Sequence, residues 1–371
     1  MTSLRLQNHQ PILNASDLNQ SLSQFDCIVD VRTPAEFELD HIPGAINLPV
    51  LENEERILIG TMYKQESPFA AKKLGAVLVA KNIARHIEQH FLNQAHEWRP
   101  LVYCWRGGER SGAFTHILQR IGWKPKQLLG GYQAFRRQVI ADLEQWAKSC
   151  RFHVICGSTG SGKTFLLNTL FKKGAQVLDL EALAVHRGSV LGGLPDQSQP
   201  SQKAFETALW DQLRSFDLNR PIWVESESKK VGGLHIPDAL MEMIRLGHCY
   251  EINASRTGRV GWLMHDYAHL LKNTTELNRL LGLLLSRHGK TQIEEWRTLA
   301  HEKQFAELVE GLLAKHYDPS YLGSIERNFA NFKNRQCFNL NPINQAEFEI
   351  LAETLIRESL ARPAVIERVF S

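Results

Sequence analysis

Short apolar runs alternate with stretches of helical spacing along most of the chain. Residues 25–31 (FDCIVDV) read as a buried strand, and Thr33-Pro34 reads as an N-cap followed by proline at the first helical position. A second strand is predicted over 100–104 (PLVYC), bounded by Pro100 and the glycines at 107 and 108, with helical spacing over 111–121 behind that loop. The run 126–131 (KQLLGG) predicts a third short strand with a Gly-Gly stop. The pattern then restarts. RFHVIC (151–156) is a strand running into a glycine loop and then a helix from 162 to about 171. AQVLDL (175–180), PIWVES (221–226) and HCYEIN (248–253) are further strand candidates, separated by helical stretches such as 202–215 and 237–246. From 256 to about 333 the spacing is mostly helical, and CFNLN (337–341) and 344–361 predict one last strand and one last helix.

Strands alternating with helices imply parallel sheets covered on both faces, an α/β class. At roughly 150 residues per domain, the 371 residues favour two domains and leave room for a third. The expected division is a first unit over 1–145 and a second over 146–371, the latter including the mostly helical segment 256–335. No Pro/Gly/Ser linker marks the boundary, and no repeat or low-complexity tract interrupts either unit. Apolar residues at 43% and charged residues at 22% exclude wholesale disorder and collagen-like structure. The net charge of +3 permits a local basic surface and does not by itself argue for nucleic acid. No apolar run approaches the ~20 residues of a spanning helix, and the start MTSLRLQNHQ does not read as a secretory signal. Six cysteines, at 27, 104, 150, 156, 249 and 337, form no CxxC pair and are too sparse for a disulfide scaffold. A reducing, cytoplasmic location without membrane association is therefore expected. Cys27, Cys156 and Cys249 sit in apolar strand-like runs and read as inert core, which leaves Cys104 as the cysteine with unusual surroundings.

Gly157-Ser158-Thr159-Gly160-Ser161-Gly162-Lys163-Thr164 is a complete GxxxxGK[ST] motif between an apolar strand and a helix. Its glycines let backbone N–H groups turn inward around phosphate oxygens, and the helix N-terminus adds partial positive charge. Lys163 supplies a mobile cation, and Thr164 a hydroxyl for a phosphate or a Mg²⁺ ion. The motif indicates a polyphosphate without saying which. Asp179, Glu225 and Glu227 end strand candidates and are placed to serve as second-site acids toward Mg²⁺, directly or through water. His186 and Arg187 follow Asp179 closely enough to cover the site, and Arg256 and Arg259 are spaced like one face of a lid helix.

Tyr103-Cys104-Trp105-Arg106-Gly107-Gly108-Glu109-Arg110-Ser111 lies between a strand and a helix. A cysteine there faces converging amides and the helix's positive end, which favour the reactive thiolate. The expected roles are Cys104 as nucleophile and the loop of Trp105, Arg106, Gly107, Gly108, Arg110 and Ser111 as cradle for a tetrahedral oxyanion.

DVRTPAEF (30–37) and DHIPGAINLP (40–49), followed by the Cys104 loop, resemble a rhodanese domain, in which the cysteine carries a persulfide or its selenium analogue. The loop departs from the commoner six-residue form, having the CxxGxxRS spacing of cysteine-based phosphatases, and so points to a phosphate-bearing donor. A rhodanese domain fused to a P-loop NTPase-like domain resembles the tRNA 2-selenouridine synthase family. The likeness is carried further by DLEALAVHRGSVLG (179–192), VESESKKVG (224–232) and HYDPSY (316–321).

The resemblance implies an enzyme that replaces sulfur by selenium in 2-thiouridine at the tRNA wobble position. Geranyl diphosphate first alkylates the sulfur, and selenophosphate then supplies selenium. It assigns the diphosphate to the P-loop and selenophosphate to the Cys104 loop, both as co-substrates, with no tightly bound cofactor and Mg²⁺ admitted near Thr164. The tRNA is expected to meet Lys229-Lys230 and the segment beyond 256. Three alternatives stay open on the residues alone: a sulfurtransferase fused to an ATP-dependent kinase-like domain, a cysteine phosphatase, and a nucleotide-gated tRNA-binding or scaffold protein.

Overall fold

The computed structural model describes residues 12–189, 192–193 and 197–361. The chain divides into two compact units. The first comprises the chain up to Leu143 together with Pro200–Arg214, and the second Glu144–Gln199 with the chain from Ser215 onward. The division expected near residue 145 is thus crossed by one excursion. The helix Gln202–Leu213 lies between two strands of the second unit in sequence but belongs to the first unit in space.

The first unit holds five strands: β1 (Ile12–Leu13), β2 (Cys27–Asp30), β3 (Ala45–Asn47), β4 (Pro100–Tyr103) and β5 (Lys126–Leu128). They form one parallel sheet in the order β1-β5-β4-β2-β3. Strand β4 is buried at every position, as the middle of a parallel sheet requires, and it delivers Cys104 to the sheet's C-terminal edge. The core gathers Val29, Val31, Val102, Phe114 and Leu118 around Phe91 and Trp98. Proline follows Thr33 as expected: Thr33 caps the helix Pro34–Leu39 and shares a capping box with Glu36. Strands β1 and β3 and the helices Asn53–Gln65, Pro68–His90 and Gly131–Ala147 went unread in the sequence.

The second unit has β6 (Phe152–Cys156), β7 (Gln176–Leu178), β8 (Ile222–Glu225), a small antiparallel pair β9 (Lys230–Val231) and β10 (Leu234–His235), β11 (His248–Ala254) and β12 (Gln336–Leu340). Its main sheet is parallel in the order β12-β11-β6-β8-β7, so the strand before the glycine loop lies at the centre. The helices Lys163–Lys172 and Gln345–Ala361 cover it through Leu166, Leu167, Leu170, Phe348, Leu351 and Leu355. The stretch predicted to be mostly helical forms a subdomain with its own core of Leu270, Leu277, Leu280, Leu281, Ile293, Trp296, Leu308 and Leu312. Among the described residues, no helix is long and apolar enough to cross a membrane.

Candidate active sites

Cys104 directly follows β4 and is 3% exposed. The loop after it is fitted to the next turn of the unit. Tyr132 and Gln133 donate backbone N–H groups to the carbonyls of Cys104 and Trp105, at 2.8 and 3.0 Å. A Cβ on Gly131 (φ +55°) would stand 2.2 Å from the Cys104 carbonyl oxygen, so only glycine lets the two turns approach this closely. The thiol sulfur accepts a hydrogen bond from Ser111 Oγ at 3.1 Å. Gln127, on β5, donates to the same Oγ at 2.8 Å and to the carbonyls of Gly107 and Gly108. Gln127 thereby occupies the serine's lone pair and leaves its proton for the sulfur. The sequence reading missed Gln127, and nothing local marks a glutamine in a three-residue strand.

The loop arginines are placed differently from expectation. Arg110 pairs with Glu36 at 2.9 Å, and that partner lowers the Glu36 carboxyl, outweighing the opposite push of burial. Arg110 therefore closes the motif at 30–37 onto the loop and is not a free cradle cation. Arg106 is exposed and donates to Gln133 Oε1. Deeper in the unit, Arg32 is buried on Asp30 at 2.6 Å, lies over the Tyr132 ring and donates to the Asp40 carbonyl. Asp40 is buried beside Tyr132, Thr207 and Arg136, and burial raises its carboxyl against those hydrogen bonds.

In the second unit, β6 runs into the glycine loop and the helix Lys163–Lys172 follows directly. A Cβ on Gly162 (φ +81°) would meet the Phe348 ring at 2.3 Å, which explains the glycine just before the lysine. Lys163 Nζ donates to the Gly157 carbonyl at 3.0 Å, and Gly157 N–H donates to Tyr321 Oη at 2.7 Å. Ser161 Oγ is buried without a partner among the described residues, a polar orphan suited to a phosphate oxygen.

Beside the loop, Glu181, Glu225 and Glu227 bring carboxylate oxygens within 4.8 Å of one another, and Thr164 Oγ1 donates to Glu181 at 3.3 Å. Burial and the two neighbouring carboxylates push Glu181 up to about 10. Burial and Glu227 push Glu225 up to about 7 against the pull of Lys163. Glu225 Oε1 has no partner among the described residues. Three like charges held this close call for a proton or a cation among them, and hard oxygen donors beside a P-loop threonine fit Mg²⁺.

Glu181 was not read from the sequence. The neighbouring Asp179 was, and it does not join the cluster: its side chain caps the short helix Leu180–Leu183 by accepting from Ala182 N–H. An aspartate ending a strand looks the same in sequence whether it caps a helix or faces a ligand.

The lid arginines are also corrected. Arg259 is buried, paired with both carboxylate oxygens of Asp318 and bonded to the Thr159 carbonyl, so it props the glycine loop from behind. Arg256 is half exposed and faces the same Asp318 at 3.7 Å. Arg187 does reach the cavity, pairing with Asp266 at 2.8 Å and stacking on Tyr267. His186 forms an isolated bridge with Gly193, and burial lowers its imidazole. Val190 and Leu191, at the end of the stretch 179–192, lie outside the described residues.

The cavity over the loop has a volume of about 590 Å³ and is lined by Lys163, Thr164, the three glutamates, Arg187 and Arg287. Against it opens a narrow slot of about 60 Å³, walled by Leu263, Leu270, Leu271, Leu277, Leu308 and Leu312. Thr159, Ser189, Leu263, Tyr267 and Tyr317 line both spaces, so they are neighbours with a shared wall. Tyr317 ends a π-helical turn, Leu313–Tyr317, a local irregularity often found at functional sites. Of the aromatic residues in this segment, Trp296 is core, whereas Trp262, Tyr267, Tyr317 and Tyr321 face the cavity.

Two family descriptions match the chain, "Rhodanese-like domain" over residues 14–138 and "tRNA 2-selenouridine synthase AAA domain" over residues 150–284. A tRNA 2-selenouridine synthase of Nitrosomonas europaea is 31% identical over 366 residues, covering 86% of this chain and 94% of the relative. The chain belongs to the tRNA 2-selenouridine synthase family. Family members of the same name from Nitrosomonas eutropha (30% identical, 87% of this chain and 94% of the relative) and Bdellovibrio bacteriovorus (32%, 81% and 89%) match along similar lengths. The expected fold, a rhodanese-like domain followed by a P-loop-type parallel-sheet domain with a helical extension, is the fold of this member of the tRNA 2-selenouridine synthase family.

Proposed function

We propose that this chain is a tRNA-modifying transferase that replaces sulfur by selenium in 2-thiouridine at the wobble position. In the first stage the 2-thio sulfur attacks C1 of geranyl diphosphate. The new bond is S–C, the broken one C–O, and diphosphate leaves. In the second stage selenophosphate supplies selenium: the C2–Se bond forms, the C2–S bond breaks so that geranyl thiol leaves, and water cleaves the P–Se bond, releasing phosphate and supplying the thiol's proton.

One observation carries the choice of a prenyl diphosphate over ATP: the leucine-walled slot beside the phosphate cavity. A ligand matched to both has a diphosphate head and a hydrocarbon tail. Lys163, the amides of the glycine loop and Ser161 would hold the diphosphate and stabilise its charge as it departs. Thr164, Glu181, Glu225 and Glu227 would hold a Mg²⁺ ion, whose chemistry there is charge neutralisation of the leaving group. At about 60 Å³ the slot is smaller than a ten-carbon chain, so binding would require its leucines to part. Cys104, with Ser111 and Gln127 behind it, acts on the selenium donor in the second stage. The tRNA approaches through Lys/Arg contacts to its phosphates, so its affinity falls as salt rises.

Isothermal titration with geranyl diphosphate, inorganic diphosphate and ATP tests the head-and-tail reading. Geranyl diphosphate should bind far tighter than diphosphate, and ATP should not be turned over. At about 0.8 kcal/mol per buried CH₂, excluding five carbons costs ~4 kcal/mol, roughly a thousandfold. Leu271→Trp, at a half-buried position of the slot, should therefore weaken geranyl diphosphate steeply and leave inorganic diphosphate unchanged. Equal affinity for the two diphosphates, or brisk ATP hydrolysis, would replace this reading with the kinase-like one.

A further inference from the structure

The thiol loop has a charge problem. Its proposed donor is a tetrahedral anion, yet Arg110 is committed to Glu36, which leaves the loop with exposed Arg106, bonded to the neutral Gln133 at 3.3 Å. The first unit nevertheless receives one more cation, from far along the chain. The helix Gln202–Leu213 is anchored in this unit by buried polar links. Thr207 bonds Arg136 and Asp40, Glu206 pairs with Arg136, Trp210 Nε1 donates to Asp142 at 2.8 Å, and Ser201 Oγ donates to the Leu39 carbonyl. Arg136 also donates to the Lys203 carbonyl at 3.2 Å, which fixes the backbone at that residue. Lys203 itself is exposed, and its ammonium stands 6.0 Å from the centre of the Trp105 ring, over the residue that directly follows Cys104. Among the described residues it has no carboxylate partner within ion-pair distance.

We infer that Lys203 is the mobile cation of the thiol site, recruiting and holding the doubly charged, phosphorus-bearing selenium donor at the mouth of the Cys104 loop. The inference rests on the reading of Cys104 as the nucleophile. A fixed backbone with a free, flexible ammonium over an aromatic face suits a ligand that must arrive and leave. It also gives the excursion at 200–214 a chemical purpose, since it supplies a second cation beside exposed Arg106 where Arg110 is tied to Glu36.

The test uses the full chain and two alkylating probes of similar size, iodoacetate and iodoacetamide, with modification of Cys104 read by peptide mass. The wild type should favour the anionic probe, and Lys203→Glu should cut the iodoacetate-to-iodoacetamide ratio by about fivefold or more at low salt. Lys203→Arg should keep the ratio near the wild-type value. With geranylated tRNA as acceptor, Lys203→Ala should raise KM for selenophosphate about tenfold and hold kcat within about twofold. An unchanged probe ratio in Lys203→Glu, or a loss confined to kcat, would overturn the assignment while leaving Cys104 in place. Failure of either probe to modify Cys104, with selenation intact in Cys104→Ser, would overturn the nucleophile reading and this inference with it.

Discussion

Both units raise a loop from the C-terminal end of a central parallel strand and follow it with a helix, but they treat charge in opposite ways. In the rhodanese-like unit, unlike charges are paired: Asp30 with Arg32, Glu36 with Arg110, and Asp40 and Glu206 with Arg136. In the P-loop unit, like charges are crowded: Glu181, Glu225 and Glu227 share one small space beside a single lysine. In the first arrangement each of these charges has a partner, and Cys104 is held in fixed geometry among them. The second is electrostatically unfinished and gains on receiving a cation and an anion together. The proposed chemistry asks for this difference: a reacting thiol would need positioning, and a departing diphosphate would need its charge neutralised.

That contrast can be broken most sharply at Cys104. Cys104→Ser should lower selenation of geranylated tRNA by about a thousandfold or more while geranylation stays within about twofold, read by mass spectrometry of the nucleosides. Equal loss of both activities would mean that one site serves both stages. Lys163→Ala should lower geranylation by about a hundredfold, consistent with the loss of one charge-stabilising group, and leave selenation of pre-geranylated tRNA near the wild-type rate.

Smaller effects sharpen the comparison through stability. Arg136→Met strips a buried cation from Asp40 and Glu206 and should destabilise the rhodanese-like unit by about 3 kcal/mol, read by denaturant unfolding. A loss under about 1 kcal/mol would show that those carboxylates find other partners. In the P-loop unit the sign reverses. Mg²⁺ at about a hundred times its Kd should stabilise by ~2.7 kcal/mol and raise the melting temperature by a few degrees. Glu227→Gln should remove that increment and, without Mg²⁺, melt at or above the wild-type temperature, because one of three crowded carboxylates is gone. A Mg²⁺ response that survives in Glu227→Gln would move the ion elsewhere.

Much of the architecture could be read ahead of the structure. The strands leading into both loops, the capped helix after Thr33 and the P-loop helix all carry local signatures of apolar runs, caps or glycines. The helix Gln202–Leu213 was also legible as a helix, yet its allegiance to the first unit was not. That allegiance depends on Thr207 and Trp210 meeting Asp40 and Asp142, partners 167 and 68 residues away. Arg110 and Arg259 read equally well as ligand cations. Only the fold brought Glu36 to one and Asp318 to the other.

The sequence by itself determined the two loops, the strand and helix flanking each, and the family to which their order points. These rest on interactions among near neighbours: glycines that admit left-handed backbone, a lysine one step into a helix, a cysteine at a strand end. The tertiary structure decided which side chains complete each loop. Gln127 behind Ser111, Glu181 in place of Asp179, the leucine slot and Lys203 over Trp105 all depend on chain segments meeting across the fold. Electrostatic pairing and burial act over a few ångströms of space and take no account of distance along the chain.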